Sequence, residues 1–365
     1  MTNTIELLRA EISAIDRQLV RLVGERQRLA ERVGRDKDQR GRALRDFDQE
    51  REVIERARRA AAEEGIPSAV TDELMRILIS SALRVQEQGR LMARREGSGR
   101  SALVIGGVGR MGRWFVRFMT AQGFEVEVAD PAGSLPELTC FSDWRESKLE
   151  HDFIVVAADL TATASILSEL SDRRPPGVVF DIGSLKSPLR DSLARLTAAG
   201  VRATSIHPMF GPDTVLLSRR HVIFVDIGSS EATRQVRELF ASTMAEQVVM
   251  DLSEHDRLIA FVLGLSHASN IAFFSALAES GEAIPRLAEL SSTTFDAQLA
   301  VAARVAHENP HLYFEIQSLN EFGEEPLRAL EAAVSRIRSL VAARDEASFA
   351  AMMDRGRSYI AARGS

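Results

Sequence analysis

A glycine-rich hexapeptide constrains the fold of this chain more than any other feature. Gly107, Gly109 and Gly112 form the pattern Gly-x-Gly-x-x-Gly directly after the short apolar run Ala102–Ile105 and before a helical pattern. In that context the first glycine allows a tight turn, the second lets a pyrophosphate approach the backbone, and the third lets the helix pack on the sheet. The helix N-terminus then faces the phosphate charge. A glycine turn that serves only sheet packing is the alternative, but the context predicts a dinucleotide site.

Asp130 indicates which dinucleotide that site takes. It ends the strand candidate Glu125–Ala129, where a carboxylate accepts hydrogen bonds from ribose hydroxyls and repels a 2′-phosphate. NAD is therefore favoured over NADP, although Arg110 and Arg113 offer charge for a 2′-phosphate, and Asp130 also suits an ordinary turn before Pro131. The predicted cofactor site comprises Gly107, Gly109, Arg110, Met111, Gly112 and Asp130.

Strand and helix patterns alternate through the middle of the chain, which predicts a mostly parallel, doubly wound sheet. The strand candidates are Ala102–Ile105, Glu125–Ala129, Phe153–Ala157, Val178–Asp181, Ala203–Ile206, His221–Asp226 and Gln247–Met250. The ends of the chain are helical. The predicted fold class is therefore α plus α/β and multidomain: an all-helical domain over 1–95, a Gly/Ser hinge at 96–100, a Rossmann-type domain over 100–252 and a helical domain over 253–365.

The N-terminal helices predict self-association. Apolar residues recur at alternating spacings of three and four from Ile5 to Val33, which predicts one long amphipathic helix. At ~1.5 Å per residue it would run about 45 Å. A second helix begins near Asp46, and a third is predicted over Thr71–Gln88. Two short helices cannot cover so long a stripe, so we expect a homodimer.

Composition narrows the setting. The 365 residues have a formal net charge of -6, which gives no reason to expect nucleic acid. Cys140 is the only cysteine, which excludes an intramolecular disulfide and a cysteine-cluster metal site and fits a reducing cytoplasm. The charged N-terminus lacks the apolar core of a signal peptide, and the apolar runs are too short to span a membrane. We therefore expect a cytoplasmic protein without metal or membrane attachment.

Two segments that follow strands carry candidate catalytic residues. His207 lies in the sequence HPMFGPD, which predicts a stiff loop at the ligand edge of the sheet, and histidine is the natural general base near neutral pH. Ser184 and Lys186 lie in DIGSLKSPL after another strand, where they are able to bond a substrate or the nicotinamide ribose. Helix capping by Ser184 or Ser187 and a structural role for His207 are the alternatives.

The three motifs GGVGRMG, DIGSLKSPL and HPMFGPD together resemble the prephenate dehydrogenases. Two downstream segments, SEHDRLIAFVLGLSHA and LSSTTFDAQLAVAARVAHENPHLY, resemble the helical dimerisation domain of that family, so the resemblance covers about residues 101–355. It implies NAD-dependent oxidative decarboxylation of prephenate. His207 would be the catalytic base on the C4 hydroxyl, and Ser184 would orient that hydroxyl. Arg304 would pair with the ring carboxylate, and His267 would lie near the substrate side chain unless it is a satisfied helix–helix residue.

The first 90 residues resemble the all-helical chorismate mutases, and the domain order matches bifunctional tyrosine-biosynthesis enzymes of enteric bacteria. The resemblance assigns two arginines to the carboxylates of chorismate, two residues to its ether oxygen and two acidic residues to its hydroxyl end. These are Arg9 and Arg26, Lys37 and Gln86, and Asp46 and Glu50, respectively. Arg26 also stands out by itself because it occupies an apolar stripe position between Leu22 and Leu29. A charge there must be paired, face a polar cavity or extend to solvent.

Three departures from these families leave alternatives open. Gln49 and Ala82 replace an arginine and a serine of the mutases. Mutase activity is expected, a reduced level is left open, and a helical domain that only binds a ligand or dimerises is the alternative. Asp296 replaces an arginine found in some enteric relatives, which leaves tyrosine feedback and a preference for arogenate over prephenate open. A β-hydroxyacid dehydrogenase uses a lysine base on a helix, and the HPMFGP sequence argues against that class.

Overall fold

The computed structural model describes residues 4–362 and divides into two compact units. Among these residues, the first unit comprises 4–158, 162–183 and 191–250, and the second comprises 159–161, 184–190 and 251–362. The N-terminal helices and the sheet thus fall in one unit. The predicted division into three domains stays a prediction, and its outermost residues, 1–3 and 363–365, lie outside the described part of the chain.

Three helices form the N-terminal part of the first unit: α1 (Thr4–Gln39), α2 (Phe47–Glu63) and α3 (Ser68–Arg94). The predicted long helix is confirmed, and at ~1.5 Å per residue α1 is roughly 54 Å long. Asp46 is the N-cap of α2, where its side chain accepts the N–H of Gln49 at 3.0 Å. Both α1 and α2 pack against α3, which is longer at both ends than its apolar pattern predicts.

The apolar stripe of α1 is uncovered within one chain. Its members remain half exposed or more: Ile5, Leu8, Ile12, Ile15, Leu19, Leu22, Leu29 and Val33. A contiguous apolar surface of this length costs free energy in water, which is the reason to expect a partner there.

The predicted hinge at 96–100 is a packed, hydrogen-bonded turn. The Gly97 N–H donates to the Gln122 carbonyl at 2.9 Å, and the Arg100 N–H donates to the Gly97 carbonyl at 3.0 Å. Gly97 is buried, and a Cβ there would lie 2.1 Å from the Phe124 ring. Glycine is required at this position because the aromatic ring lies directly against the backbone, and so flexibility is not the reason for its presence.

An eight-stranded sheet follows, with strand order β3-β2-β1-β4-β5-β6-β7-β8. The strands are β1 (Ser101–Ile105), β2 (Glu125–Ala129), β3 (Thr139–Phe141), β4 (Phe153–Val156), β5 (Val178–Asp181), β6 (Ala203–Pro208), β7 (His221–Asp226) and β8 (Glu246–Asp251). Strands β1 to β6 pair in parallel, and β7 pairs antiparallel with β6. The helices that cover this sheet are α4 (Arg110–Ala121), α5 (Leu160–Arg173), α6 (Arg190–Ala198) and α7 (Ser230–Glu238).

The first six strands have the order of a dinucleotide-binding fold. Strand β1 pairs with both β2 and β4, so the connections run in opposite directions on its two sides, and a crevice opens at the carboxyl ends. The register places Ile105, Val156, Asp181 and Ser205 in one row across that end. The predicted doubly wound sheet is confirmed.

Two strand predictions differ from the structure. The three-residue strand β3 was not predicted, because a segment so short has no visible alternation. Strand β6 continues through His207 and Pro208, which pair with Ile223 and Val222 of the antiparallel strand β7. The sequence predicts a loop at His207, and that prediction is wrong because the ladder with β7 extends beyond the last parallel pair.

The second unit is mainly helical. Its helices are α8 (Leu252–Ile259), α9 (Ser266–Glu279), α10 (Ile284–Glu289), α11 (Thr293–Ala306), α12 (Pro310–Ser318), α13 (Glu324–Ala343) and α14 (Glu346–Ala361). A π-helical segment, Ala260–Leu265, joins α8 to α9, and α9 packs against α11. The short segment Ser184–Arg190 clusters with these helices.

One continuous helix in residues 4–362, Leu252–Glu279, is long and apolar enough to cross a membrane. By length and composition, the expectation that every apolar run is too short is therefore wrong for this helix. Helices in the core of soluble proteins pass the same test, so the helix is weak evidence for a membrane span.

Candidate active sites

A cavity of about 290 Å³ lies among the three N-terminal helices. Its lining includes five of the predicted mutase residues and both of the changed family positions. These are Arg26, Lys37, Asp46, Glu50 and Gln86, with Gln49 and Ala82. The structure therefore brings together residues from all three helices that the sequence selects separately.

The polar side chains at the cavity are held by backbone carbonyls. Arg26 donates to the Leu78 carbonyl at 2.7 Å, and Lys37 donates to the Leu44 carbonyl at 2.7 Å. Burial lowers the pKa of Arg26 from its ordinary value. Because these carbonyl partners are uncharged, the two cations keep positive charge available for an anion.

Gln86 is fixed more tightly than the cations. It is buried, and its Nε2 donates to the carbonyl of Ala30 at 2.9 Å, while its Oε1 has no hydrogen-bond partner among residues 4–362. A Cβ on Gly34 would lie 2.6 Å from the Gln86 Cγ, so only glycine lets the amide reach this position.

The acidic residues have structural partners as well as cavity contacts. Asp46 is the N-cap of α2. The two carboxylate oxygens of Glu50 accept hydrogen bonds from Arg45 Nε and Nη2 at 3.0 and 3.1 Å. Arg45 also donates to the Ser218 hydroxyl at 2.5 Å. Arg45 was not predicted as a site residue, because its partners are set by the folded chain and no local pattern indicates them.

Arg9 is not brought to this cavity within one chain. It lies on the exposed N-terminal half of α1, 17 residues before Arg26, or about 25 Å along the helix. A straight helix cannot bring both arginines to one small ligand, so Arg9 reaches a cavity only if that cavity belongs to another chain.

The glycine loop at the carboxyl end of β1 has the shape of a dinucleotide cradle. The left-handed residue is Gly106, with φ +81°, so the tight turn lies one residue before Gly107. A Cβ at Gly112 would lie 2.0 Å from the Gly106 carbonyl oxygen, which shows how closely α4 approaches the loop. A Cβ at Gly109 would meet only that oxygen, at 3.2 Å. Gly109 is exposed, so the backbone at the start of α4 is open to a phosphate.

Asp130 lies directly beside this loop. Its carboxylate accepts the N–H of Val108 at 2.9 Å and the N–H of Ala132 at 2.8 Å. Of the two nearby arginines, Arg113 donates to the Val108 carbonyl at 2.7 Å and Arg110 lies 3.3 Å from Asp213. Both arginines therefore have partners in the chain, whereas Asp130 presents negative charge at the end of β2. This arrangement fits a ribose diol.

His207 is buried near the carboxyl edge of the sheet. Ser205 of β6 belongs to the row of residues at the carboxyl ends of β1, β4 and β5, and His207 lies two residues after Ser205. It is therefore at the same edge as the glycine loop. A strand holds an imidazole more rigidly than the predicted loop would.

In the second unit, a buried aspartate organises the Ser184–Lys186 segment. Asp256 accepts the backbone N–H of Lys186 at 2.9 Å, the N–H of Ser187 at 2.5 Å and the Ser187 hydroxyl. His255 Nδ1 lies 2.6 Å from the same carboxylate. Burial alone would raise the pKa of Asp256, but the hydrogen bonds from His255, Ser187 and Lys186 hold it below its ordinary value. Sequence reasoning did not select Asp256, although it belongs to the quoted SEHDR segment.

The remaining predicted substrate residues lie in the second unit, with His267 and Arg304 on helices. His267, on α9, stacks on Tyr313 with ring centroids 4.0 Å apart, and burial lowers its pKa. Its Nδ1 is buried without a partner in the described residues. Arg304 is exposed on α11, and Asp296, in the first turn of α11, accepts a hydrogen bond from the Ser291 hydroxyl. Lys186 is wholly buried.

Two family models match the chain. The chorismate mutase type II model covers residues 8–87, and the prephenate dehydrogenase dimerization-domain model covers residues 251–355. The 4-amino-4-deoxyprephenate dehydrogenase of Streptomyces pristinaespiralis is 30% identical over 275 residues, which is 72% of this chain and 92% of that relative. The T-protein of Enterobacter agglomerans is 26% identical over 320 residues, which is 87% of this chain and 82% of that relative.

Solved structures agree on the fold. A prephenate dehydrogenase from A. aeolicus, in complex with hydroxyphenyl propionate and NAD+, is 18% identical with a TM-score of 0.55, over 72% of this chain and 99% of that one. An arogenate dehydrogenase from Synechocystis is 14% identical with a TM-score of 0.55, over 71% of this chain and 98% of that one. At these identities the likeness shows the fold alone.

A Rossmann-type sheet with a glycine loop, preceded by three helices around a cavity that contains Arg26 and Lys37, defines a dinucleotide-binding dehydrogenase joined to a second helical module. The chain belongs to the prephenate dehydrogenase family, and a chorismate mutase type II domain precedes the dehydrogenase. The resemblance drawn from the sequence motifs is confirmed for both parts.

Proposed function

We propose that this chain is a bifunctional enzyme of tyrosine biosynthesis. It rearranges chorismate to prephenate and then oxidatively decarboxylates prephenate to 4-hydroxyphenylpyruvate with NAD. The observation that carries the proposal is that both family models match one chain, in which the helical match contains a cavity lined by Arg26, Lys37 and Gln86. Relatives named T-protein, in Enterobacter agglomerans and Haemophilus influenzae, match over most of the chain.

The mutase reaction requires only positioning and electrostatics. A pericyclic rearrangement needs a compact conformer of the dianion and positive charge at the breaking ether bond. Arg26 holds one carboxylate, while Lys37 and Gln86 donate to the ether oxygen. Glu50 and Asp46 face the hydroxyl end. The backbone anchoring of Arg26, Lys37 and Gln86 supports these roles, because it fixes donors before the substrate arrives.

A second chain completes this mutase site. The exposed stripe of α1 is the proposed dimer surface, and Arg9 of one protomer holds the second carboxylate in the cavity of its partner. The length of α1 between Arg9 and Arg26 supports this arrangement. The family match of the C-terminal helices to a dimerization domain supports homodimer formation there as well.

The dehydrogenase site uses His207 as its base. Bound NAD supplies the hydride acceptor for C4 of prephenate. His207 takes the proton from the C4 hydroxyl, Ser184 orients that hydroxyl, and Arg304 pairs with the ring carboxylate. Lys186 and His267 complete the substrate residues. Loss of carbon dioxide and aromatisation make the step irreversible in practice.

The cofactor residues favour NAD over NADP. Gly107, Gly109, Arg110, Met111 and Gly112 surround the pyrophosphate, and Asp130 accepts from the ribose hydroxyls. Arg110 pairs with Asp213, and Arg113 donates to a backbone carbonyl. This supports the preference, since each guanidinium already has a partner other than a 2′-phosphate. Tyrosine feedback and a cytoplasmic location remain predictions.

A second substrate has one observation in its favour. Asp296 is an exposed carboxylate at a position where some enteric relatives have arginine. A carboxylate suits the amino group of arogenate better than the keto acid of prephenate, and one relative is a probable arogenate/prephenate dehydrogenase of Methanocaldococcus jannaschii. Arogenate oxidation is therefore the alternative for this half of the enzyme.

One assay tests both halves together. Purified protein receives chorismate and NAD, and the loss of chorismate and the formation of NADH are followed for the wild type and for His207→Asn. We expect the wild type to do both and the variant to consume chorismate without forming NADH. If chorismate stays intact while added prephenate yields NADH, the helical domain is not a mutase. If arogenate alone yields NADH, the substrate assignment is wrong.

A further inference from the structure

The connection between β6 and β7, residues 209–220, joins three parts of the first unit. It starts directly after His207 and Pro208 at the end of β6. It contacts α4, the helix that begins at the glycine loop, and it also contacts the N-terminal helices. A contact that holds this connection in place therefore also affects the positions of residues next to His207 and next to the glycine loop.

On the N-terminal side, the contact is made by the buried carboxylate of Glu87. Glu87 lies on α3 and is 1% exposed. One oxygen accepts the N–H of Leu217, in the 209–220 connection, at 2.8 Å, and the other accepts the N–H of Met244, just before β8, at 2.6 Å. A buried carboxylate is costly unless its oxygens are hydrogen-bonded, and here each oxygen has a backbone donor from a different loop.

A neighbouring contact supports the same docking. The Arg45 guanidinium, which holds Glu50 at the wall of the helical cavity, also donates to the hydroxyl of Ser218. Leu217 and Ser218 are consecutive, so Glu87 and Arg45, from different parts of the helical domain, form hydrogen bonds with adjacent residues of the connection. The position of these adjacent residues is thus set from outside the sheet domain.

On the other side, α4 holds the start of the connection. Trp114 Nε1 donates to the Thr214 carbonyl at 2.8 Å, and the Trp114 ring lies 4.9 Å from the ring of Phe210. Arg110 lies 3.3 Å from Asp213. The connection is therefore held between α4 at its beginning and Glu87 near its end.

We infer that Glu87 is a positioning residue for the dehydrogenase. It acts through Leu217 on the 209–220 connection and touches neither substrate nor cofactor. By fixing the end of this connection, it sets the place of α4 at the glycine loop and of the β6 end that carries His207. The helical domain is thus part of the support of the dehydrogenase site. The inference rests on the proposed dehydrogenase function.

The test replaces Glu87 by Gln in the full-length chain. The amide has the same shape, but its NH₂ group faces one of the two backbone N–H donors. Glu73→Gln, on the same helix and exposed, is the matched control. For each protein we would measure amide hydrogen exchange at Leu217 and Met244, the dissociation constant for NAD, kcat and KM for prephenate, and mutase activity in the same preparation.

We expect faster exchange at Leu217 and Met244 in Glu87→Gln, weaker NAD binding, and a loss of about tenfold in dehydrogenase kcat/KM, since small misplacements of reacting groups are costly. Mutase activity should persist, and Glu73→Gln should match the wild type. Glu87→Asp retains the charge and should recover part of the loss. It also replaces Glu87→Gln as the test if the latter does not fold.

Faster exchange with unchanged NAD affinity and unchanged dehydrogenase constants would overturn the inference, since Glu87 would then only join two domains. Equal losses of mutase and dehydrogenase activity would overturn it too, because they indicate general damage. Amide exchange and NAD affinity need no substrate. They therefore decide the inference even if the wild type fails to oxidise prephenate, which is a failure of the proposed function alone.

Discussion

Ser187 and Asp256, 69 residues apart in the chain, are joined by a 2.5 Å hydrogen bond from the serine backbone N–H to the aspartate carboxylate. The same carboxylate accepts from the N–H of Lys186 and lies against His255. Two proposed substrate residues, Ser184 and Lys186, thus sit on a turn whose backbone is held by a single buried anion.

Asp256→Asn should therefore destabilise the second unit and impair the dehydrogenase. The amide presents an NH₂ group to backbone donors, and breaking a buried charged network costs about 3 kcal/mol. Chemical denaturation would measure the loss, with Asp354→Asn on the exposed face of α14 as the control. A free energy of unfolding equal to that of the control variant would show that the carboxylate does not hold the turn.

The stability of the first unit should depend on pH through Glu87. Burial raises the pKa of Glu87 above the ordinary glutamate value, and the hydrogen bonds from Leu217 and Met244 only partly oppose this. Between the ordinary and the raised pKa, the folded chain holds a proton that the unfolded chain has lost, so the free energy of unfolding falls as pH rises. Denaturation at a series of pH values should show this slope in the wild type and its absence in Glu87→Gln. A slope that persists unchanged in the variant would assign it to another group.

Restoring the changed family positions should increase mutase activity. Gln49 and Ala82 line the helical cavity, so Gln49→Arg adds a cation near a dianionic substrate and Ala82→Ser adds a donor. We expect the double variant to gain about tenfold in mutase kcat/KM, the scale of one strong charge-assisted contact. Gln88→Arg, exposed on α3, adds the same charge away from the cavity and should change nothing. Equal gains in both proteins would point to long-range charge alone.

Gly112→Ala should abolish NAD binding while the rest of the chain stays folded. The new methyl group would lie 2.0 Å from the Gly106 carbonyl oxygen, so α4 must move away from the glycine loop. Gly356→Ala is the control, since a Cβ there meets no atom of the described part of the chain within 4 Å, and alanine in a helix gains roughly 0.5–1 kcal/mol over glycine. Calorimetric titration with NAD would compare the two. Normal affinity in Gly112→Ala would place the cofactor elsewhere.

A charge on the α1 stripe should break the proposed dimer. Leu19 and Leu22 are 53% and 59% exposed in one chain, so Leu19→Glu together with Leu22→Glu leaves the fold of the chain intact but places two anions in the expected interface. Sedimentation should show weaker association, and mutase activity should fall because Arg9 no longer reaches a partner's cavity. Gln18→Glu, a polar position on the same helix, should retain both. Unchanged association and activity in the double variant would show that the stripe is not the contact.

Local patterns predicted the features that local chemistry determines. The stripe from Ile5 to Val33 predicted α1, and the glycines predicted the turn between β1 and α4, because helix periodicity and close backbone approach are both visible in neighbouring residues. Arg26 was selected independently because a charge interrupts an apolar stripe, whereas the resemblance to chorismate mutases assigned the other cavity residues. Their grouping around one cavity needed the folded chain.

The missed features depend on distant partners. His207 was predicted in a loop, because the antiparallel pairing that extends β6 comes from β7. The residues next to Asp256 and Glu87 in the sequence do not indicate their roles, since the groups that donate hydrogen bonds to them lie up to 157 residues away. The identity of a buried carboxylate's donors is a property of the fold, and a sequence pattern does not contain it.

The packing of Gly97 against Phe124 affects whether a protease can cut between the N-terminal helices and the sheet, and whether the two fragments then dissociate. Limited proteolysis usually cuts where the backbone is free to enter a protease cleft, yet this junction is hydrogen-bonded and Gly97 within it is buried. Even a chain cut at residues 96–100 would keep the hydrogen bonds that Glu87 and Arg45 form with the 209–220 connection. The two fragments should therefore copurify as a nicked complex, and a gene split at this junction should yield halves that reassemble when they are expressed together.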